Sequence, residues 1–473
     1  MSIADRSAVF AVLLACFVGG EPSLAANITV IPQRGLVDEP LSVRIDGAPA
    51  GARVRVEAAL TDDAGEVWTA SGEYLANSSG SVNTAADVSV AGTYEGVLPG
   101  GLSCSALPVP RNELAGYVER LRDKPGRTTP ELGTKESFKV RITVSAAGQS
   151  LGPVEIVREY LSAGVSTIKV SEGRLQGLYF QPAAGARGIP VVVLGGSGGG
   201  LPRANAMLLA SRGHPALALA YFGYQDLPRD LVDIPLEGFA DAAAWLKKRT
   251  GASGVVLMGT SRGSEAVMLT AAYLSANISG VIAIVPSPLV HAAFGRTVTR
   301  PGEPAWTLGG RGIPPVQSKA DAVGEDAARL AREDRQRSSK GPPGYAGAPY
   351  FLANWKDPVA HLLYGIPVER IDVPLLLLGG DADTMWPSAL GVAQIRDRMA
   401  AHGKAALVEA HVYPGAGHGL SRIGIGNEMS GFSVHPVAGT WVSTGGEPDA
   451  NCRATYQVWT EIFEFLQRQS AAK

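Results

Sequence analysis

Two rhythms of apolar and polar residues run along the chain, and one replaces the other near residue 170. In the first third the positions alternate. Leu41-Ser42-Val43-Arg44-Ile45, Val54-Arg55-Val56-Glu57-Ala58 and Phe138-Lys139-Val140-Arg141-Ile142-Thr143-Val144 each place every second side chain on one face. That period predicts strands with one buried and one wet face. Asp46-Gly47, Ala64-Gly65, Ser79-Gly80 and Ala91-Gly92 punctuate the runs as turns. Short strands at such spacing predict an all-β sandwich over residues 27–150. Residues 108–130 are charged and irregular, and read as an excursion between late strands.

A linker is expected over 152–173, with a strand or hairpin arm in Glu172 to Phe180. Continuous apolar runs then replace the alternation, as strands buried on both faces require. They are Val191 to Leu194, Ala216 to Ala220, Val255 to Met258, Val281 to Val285, Leu375 to Leu378 and Ala406 to Tyr413. Helical spacing separates them over Leu201 to Arg212 and Leu236 to Lys248, and Ala454 to Gln469 closes the chain. Alternating strands and helices predict a mostly parallel α/β sheet over 172–473. Residues 295–355 interrupt the rhythm with Gly, Pro, Arg and Asp. A lid and a plain surface insertion are both compatible with that composition, and Ala320 to Arg337 reads as an exposed helix.

One strand–turn–helix stretch carries chemistry. Gly259-Thr260-Ser261-Arg262-Gly263 follows an apolar strand and precedes a helical run, the context of a G-x-S-x-G nucleophile elbow. Small residues there relieve Cβ clashes, and the helix N-terminus below offers N–H groups to a developing oxyanion. A serine hydroxyl needs a base, and the base an orienting acid. In an α/β-hydrolase fold the chain order is Ser, acid, His. The acid belongs after a late strand, where Gly379-Gly380-Asp381-Ala382-Asp383 offers two carboxylates. Spacing favours Asp383, with Asp381 bonding backbone in the turn. The base belongs after the last strand, where Tyr413-Pro414-Gly415-Ala416-Gly417-His418 supplies His418. His411 lies within a strand and His214 beside a helix cap. His291, His361, His402 and His435 fall in segments that read as surface or lid.

The oxyanion hole needs two backbone donors. Arg262 N–H follows the nucleophile. The second is expected in Gly195-Gly196-Ser197-Gly198-Gly199-Gly200, where Ser197 N–H is chosen, with Gly196 and Gly198 as the alternatives on either side. That glycine run lacks both the lysine and the G-x-G-x-x-G spacing of phosphate loops.

Composition narrows the rest. At 473 residues, two domains are expected. A net charge of −2 with no basic run argues against a nucleic-acid partner. Ala8 to Val18 is an apolar core too short to span a bilayer. Ser23-Leu24-Ala25 supplies small residues at a cleavage position, so residues 1–25 read as an export signal. Leu13-Leu14-Ala15-Cys16 is a weaker lipoprotein alternative, and a start codon placed too early is another. The mature chain keeps Cys104 and Cys452. Nothing in the sequence brings them together, so buried free thiols are favoured over a disulfide. Neither shows zinc-ligand spacing, and no metal or cofactor is expected.

These motifs resemble the acyl-CoA thioesterase and bile acid-CoA:amino acid N-acyltransferase family. Val37-Asp38-Glu39-Pro40-Leu41 and Gly92-Thr93-Tyr94-Glu95-Gly96-Val97 resemble its N-terminal β-sandwich. Leu208-Leu209-Ala210-Ser211-Arg212-Gly213, Leu219-Ala220-Tyr221-Phe222-Gly223-Tyr224, Asp383 with Trp386 and Ser388, and Tyr413 to His418 resemble its catalytic domain. Carried over, the family triad falls on Ser261, Asp383 and His418. Members that transfer acyl groups to amino acids use cysteine as nucleophile. Ser261 therefore implies hydrolysis of an acyl thioester through an acyl-serine intermediate. The chain departs from the family at Gly419 to Gly424, at Cys104 where tryptophan is common, and at Gly100 where methionine is. An export signal conflicts with intracellular acyl-CoA. An exported carboxylesterase or amidase is thus the alternative enzyme, and a non-catalytic binding protein is the third reading.

Overall fold

The computed structural model describes residues 27–61, 67–107, 135–185, 188–295, 298, 300, 302–316, 344–422 and 431–471. The expected leader with Cys16, the 108–130 excursion and the 320–337 helix lie outside them.

The alternating segments become strands. They are β1 (Asn27–Ile31), β2 (Arg34–Leu36), β3 (Ser42–Asp46), β4 (Arg53–Thr61), β5 (Val67–Leu75), β6 (Val82–Asn83) and β7 (Ala91–Gly92). A short helix α1 (Gly101–Cys104) follows, then β8 (Ser137–Ala146) and β9 (Gln149–Glu159). A six-stranded sheet, β2-β9-β8-β4-β5-β7, faces a three-stranded one, β1-β3-β6. Val54, Val56, Ala58 and Leu60 of β4 share one core with Val43 and Ile45 of β3. Arg55 and Glu57 look outward and join Glu73 in surface ion pairs.

The expected linker is corrected here. Residues 149–159 form β9, paired along β8 from Ser137↔Glu159 to Ala146↔Gln149. Gly152-Pro153 interrupts the alternation that would have announced it, and the ladder shifts register opposite it, between Ile142 and Val144. The first sheet therefore runs to Glu159.

The second sheet begins with the hairpin β10 (Ser166–Glu172) and β11 (Leu175–Gln181). It continues through β12 (Val191–Leu194), helix α2 (Arg203–Ser211) and β13 (Ala216–Ala220). Next come β14 (Ile234–Pro235), α3 (Glu237–Thr250), β15 (Val255–Thr260), α4 (Arg262–Tyr273) and β16 (Ile278–Ile284). Eight strands share this sheet in the order β10-β11-β13-β12-β15-β16-β19-β20, with β19 (Leu375–Gly380) and β20 (Val408–Tyr413) last. From β13 to β20 all pairings are parallel. β12, β13 and β19 are buried throughout, which is why their sequences are unbroken apolar runs. The elbow thus opens from a central strand.

The described flanks of the 295–355 insertion are not loose surface. β17 (Trp306–Leu308) and β18 (Arg311–Gly312) extend β14 into a small sheet. Helices α5 (Ala348–Trp355) and α6 (Pro358–Tyr364) follow. Trp306 and Trp355 are wholly buried, so these parts belong to the core. After α7 (Ser388–Ala401) and β20, a hairpin that the sequence did not announce pairs β21 (Phe432–Val434) with β22 (Trp441–Ser443). The closing helix α8 runs Pro448–Ala471, longer than its apolar spacing alone indicates. Among the described residues no helix is long and apolar enough to cross a membrane.

The two sheets are fastened to each other. Arg212 at the end of α2 forms a bidentate pair with Asp38, both contacts 2.8 Å, and reaches Glu39 at 3.1 Å. Cys104 on α1 and Cys452 on α8 form a disulfide with Cα atoms 5.6 Å apart. This overturns the expectation of free thiols. The pairing depends on α1 packing against α8, which is a tertiary contact with no local signature.

Candidate active site

The turn between β15 and α4 places Ser261 at φ 57° and ψ −121°, a region that side chains other than glycine rarely occupy. This strained turn lifts the side chain off the sheet. The flanking glycines serve a purpose other than turning, since neither has positive φ. A Cβ on Gly259 would lie 2.2 Å from the Gly263 carbonyl oxygen, and one on Gly263 would lie 2.4 Å from that of Gly195. They let strand, helix and neighbouring loop touch backbone to backbone.

Asp383 and His418 arrive from the loops after β19 and β20. His418 Nδ1 lies 2.8 Å from Asp383 Oδ2, and its Nε2 lies 3.0 Å from Ser261 Oγ. Three residues far apart in sequence thereby meet. The Asp383 side chain is wholly buried, and its Oδ1 accepts from Met385 N–H at 2.9 Å and Trp386 N–H at 3.3 Å. Those donors fix the carboxylate, leaving Oδ2 to the imidazole. Trp386 packs edge-on against the His418 ring, centroids 5.7 Å apart. The His418 loop is held from behind: its N–H donates to Thr444 O at 2.8 Å, and Gly417 N–H donates to Asn451 Oδ1 at 2.7 Å. Asp381 accepts from Gly415 N–H at 2.6 Å, the turn role expected of it.

The glycine-rich loop after β12 lies against the elbow. A Cβ on Gly196 would be 3.1 Å from Ser261 Cβ and 3.6 Å from its Oγ, so the residue beside the expected donor Ser197 adjoins the elbow serine. Tyr221 O–H donates to Gly195 O at 2.7 Å and reaches Gly196 O at 3.2 Å. Below the elbow, Arg262 Nη2 donates to His291 O at 2.8 Å. Its Nε lies 3.2 Å from Glu265 Oε1, an ion contact without hydrogen-bond alignment. The other Glu265 oxygen accepts from Trp306 Nε1 at 3.0 Å and His291 N–H at 3.2 Å. Burial raises the Glu265 carboxyl above the usual range, and Arg262 opposes that shift.

Two histidines assigned to surface or lid segments are buried instead. His291 is 5% exposed and stacks on Trp355, while His435 is 8% exposed at the β21–β22 hairpin. Strands of three residues offer too few positions to show a period, which hid this hairpin. His214 is also buried and hydrogen-bonds Ile189 O at 3.1 Å. Burial lowers the pKa of all three. Nearby Arg262 depresses His291 further, and the charges of His418 and Arg422 help bring His435 to about 4. The folded state therefore refuses protons that the unfolded chain takes near pH 6.5. Their stabilising effect is complete above that pH and is lost as pH falls below it, for His435 down to about 4. For His435 alone the loss is roughly 3 kcal/mol. In urea titrations at pH 7.5 and 5, wild type should lose more stability on acidification than His435→Gln. Equal losses would contradict this assignment.

An eight-stranded, mainly parallel sheet with an elbow serine at its centre defines an α/β-hydrolase fold, here preceded by a β-sandwich. Comparison with known sequences gives the family. Residues 38–172 match the acyl-CoA thioester hydrolase/BAAT N-terminal region, and residues 333–472 match the BAAT/acyl-CoA thioester hydrolase C-terminal region. The chain belongs to the family of acyl-CoA thioesterases and bile acid-CoA:amino acid N-acyltransferases. It is 28% identical to the mitochondrial acyl-coenzyme A thioesterase 2 of Mus musculus, over 95% of this chain and 90% of that protein. With acyl-coenzyme A thioesterase 1 of the same organism it shares 27% over 94% and 97%. With mouse acyl-coenzyme A amino acid N-acyltransferase 1 it shares 28% over 94% and 99%.

Proposed function

We propose that the protein hydrolyses acyl thioesters of the acyl-CoA type, with Ser261 as nucleophile, His418 as base and Asp383 as orienting acid. The observation that carries this reading is the His418 imidazole, 2.8 Å from a buried carboxylate on one side and 3.0 Å from the elbow hydroxyl on the other. Asp383 fixes the tautomer with the proton on Nδ1, so Nε2 accepts the Ser261 proton as Oγ attacks the carbonyl carbon. The resulting oxyanion is held by the N–H groups of Arg262 and Ser197. The loop supports the second donor. In a planar trans peptide the N–H points opposite to the preceding C=O. The Gly195 and Gly196 carbonyls face Tyr221, so the Gly196 and Ser197 N–H groups face away from it. When the tetrahedral species collapses, the C–S bond breaks and His418 returns the proton to the departing sulfur. Water then attacks the acyl-serine, losing its proton to His418.

The names of the thioesterase relatives support a thioester substrate. A serine nucleophile favours water over an amine acceptor, as the family resemblance implies. A second reading has its own support. The buried disulfide fits an oxidising compartment, as does the export signal read in residues 1–25. We therefore propose that the protein is exported, where an ordinary ester or amide, hydrolysed by the same three residues, is the competing substrate. N-terminal sequencing of the protein recovered outside the cytoplasm tests export. A starting residue near 26 in that fraction supports it, and finding the protein only in the cytoplasm with Met1 retained refutes it. Function is tested by comparing kcat/KM on acyl-CoAs of several lengths with simple esters and amides, with and without glycine. The thioester reading expects acyl-CoA to lead by at least about tenfold, with no glycine conjugate formed. Preference for simple esters would replace it with the second reading.

A further inference from the structure

His435 sits on the hairpin that covers the glycine-rich loop. Its ring is held in one protonation state by its own turn. The backbone N–H groups of Val437 and Ala438 both point at Nδ1, each at 3.2 Å, so Nδ1 accepts and carries no proton. The proton of the neutral ring is on Nε2, which lies 2.8 Å from Ser197 Oγ and donates to it. The turn is closed by His435 N–H to Thr440 O at 2.9 Å and Gly439 N–H to His435 O at 2.7 Å. Phe294 packs edge-on against the ring at 4.9 Å, and a Cβ on Gly198 would meet Pro436 at 3.1 Å. Among the described residues, the charged or titratable groups acting on the ring are His418 and Arg422.

This arrangement decides where the Ser197 proton goes. Its oxygen is already an acceptor, so its own O–H points away from His435. Among the described residues that O–H has no other acceptor. The adjoining residue, Gly196, abuts Ser261. We propose that the Ser197 hydroxyl, oriented by the neutral His435 ring, donates a further hydrogen bond to the oxyanion formed on the scissile carbonyl. The proposal rests on the reading of Ser261 as nucleophile. Ser197 is then a catalytic residue through its side chain as well as its N–H, and His435 is a positioning residue acting through it. A hydroxyl donor aimed at charge that develops only in the transition state raises kcat rather than tightening substrate binding.

The test is a double-mutant cycle on the full chain with an acyl thioester substrate. Ser197→Ala is expected to lower kcat roughly 10- to 100-fold, with KM within about threefold. His435→Ala should lower kcat by a similar factor. The double variant should be no slower than the slower single one, and His435→Gln, which keeps an N–H donor, should recover most of the loss. Inhibition by a trifluoromethyl ketone analogue, whose adduct with serine carries the oxyanion, should weaken in parallel with kcat. Losses that multiply, or that appear in KM alone, would overturn the proposal. So would an unchanged kcat in Ser197→Ala when Ser261 still reacts with a fluorophosphonate and Ser261→Ala is inactive. Turnover surviving in Ser261→Ala would instead remove the nucleophile assignment itself. Should His435→Ala fail to melt cooperatively, Ser197→Ala and the glutamine variant decide the question.

Discussion

Ser261→Ala is expected to reduce kcat on acyl thioesters and esters by roughly 10⁴- to 10⁶-fold while leaving the fold intact. The size of the effect follows from the arrangement around the hydroxyl. Among the described residues, Ser261 Oγ is the one hydroxyl hydrogen-bonded to the His418 imidazole. What survives is the catalysis that oxyanion donors and substrate binding supply to attack by water. Alanine does not damage the elbow through packing, because only one small polar atom is removed. Some strain at φ 57° remains, and Ser264 Oγ still bonds the residue 261 carbonyl at 2.6 Å. Kinetics and a thermal melt on the same preparation check both halves. A variant that melts normally and keeps more than about a hundredth of wild-type turnover would remove Ser261 from the mechanism.

Replacing both Cys104 and Cys452 with serine is expected to lower the unfolding free energy by about 2–5 kcal/mol. The bridge joins residues 348 apart in sequence, so it restrains a large part of the unfolded chain. Both sulfurs are buried and Cys104 Sγ lies 3.2 Å from Gly100 O, so the serine variant also places new hydroxyls in an apolar junction. Urea titrations with and without dithiothreitol separate the two effects. Wild type should weaken under reductant and the double variant should not. Thiol titration of the unreduced, denatured mature protein should find no free cysteine. Two reactive thiols there, with equal stability in both buffers, would refute the bridge.

Much of the candidate site's geometry is legible in the sequence because its signals are local. The elbow is five residues with a strand before and a helix after. Asp383 and His418 each follow a buried apolar run, and those runs announce themselves. The β-sandwich was likewise visible wherever a strand keeps one wet face, as β4 and β8 do. The reading failed where structure is set by partners distant in sequence. Alternation alone predicts a linker from residue 152 because Gly152-Pro153 breaks it, although β8 pairs with β9 nearly end to end. The β21–β22 hairpin has three-residue strands, and His435 gains its environment only by folding over Ser197. The role given to Gly259 and Gly263 needed revision for the same reason. Their constraint is a neighbour's carbonyl, not their own dihedral angles.

Asn451 holds the backbone just before His418, and its chain neighbour Cys452 is bonded to the first sheet's α1. Anyone trimming this enzyme to a smaller reagent meets that adjacency. A version starting at the hairpin of residues 166–181 would leave Cys452 without a mate and bare the side of α8 that α1 covers. The loosened end of that helix is the one that steadies the His418 loop. The first sheet and α1 are thus a splint for the imidazole, and efforts to retarget the substrate range should begin from the whole chain.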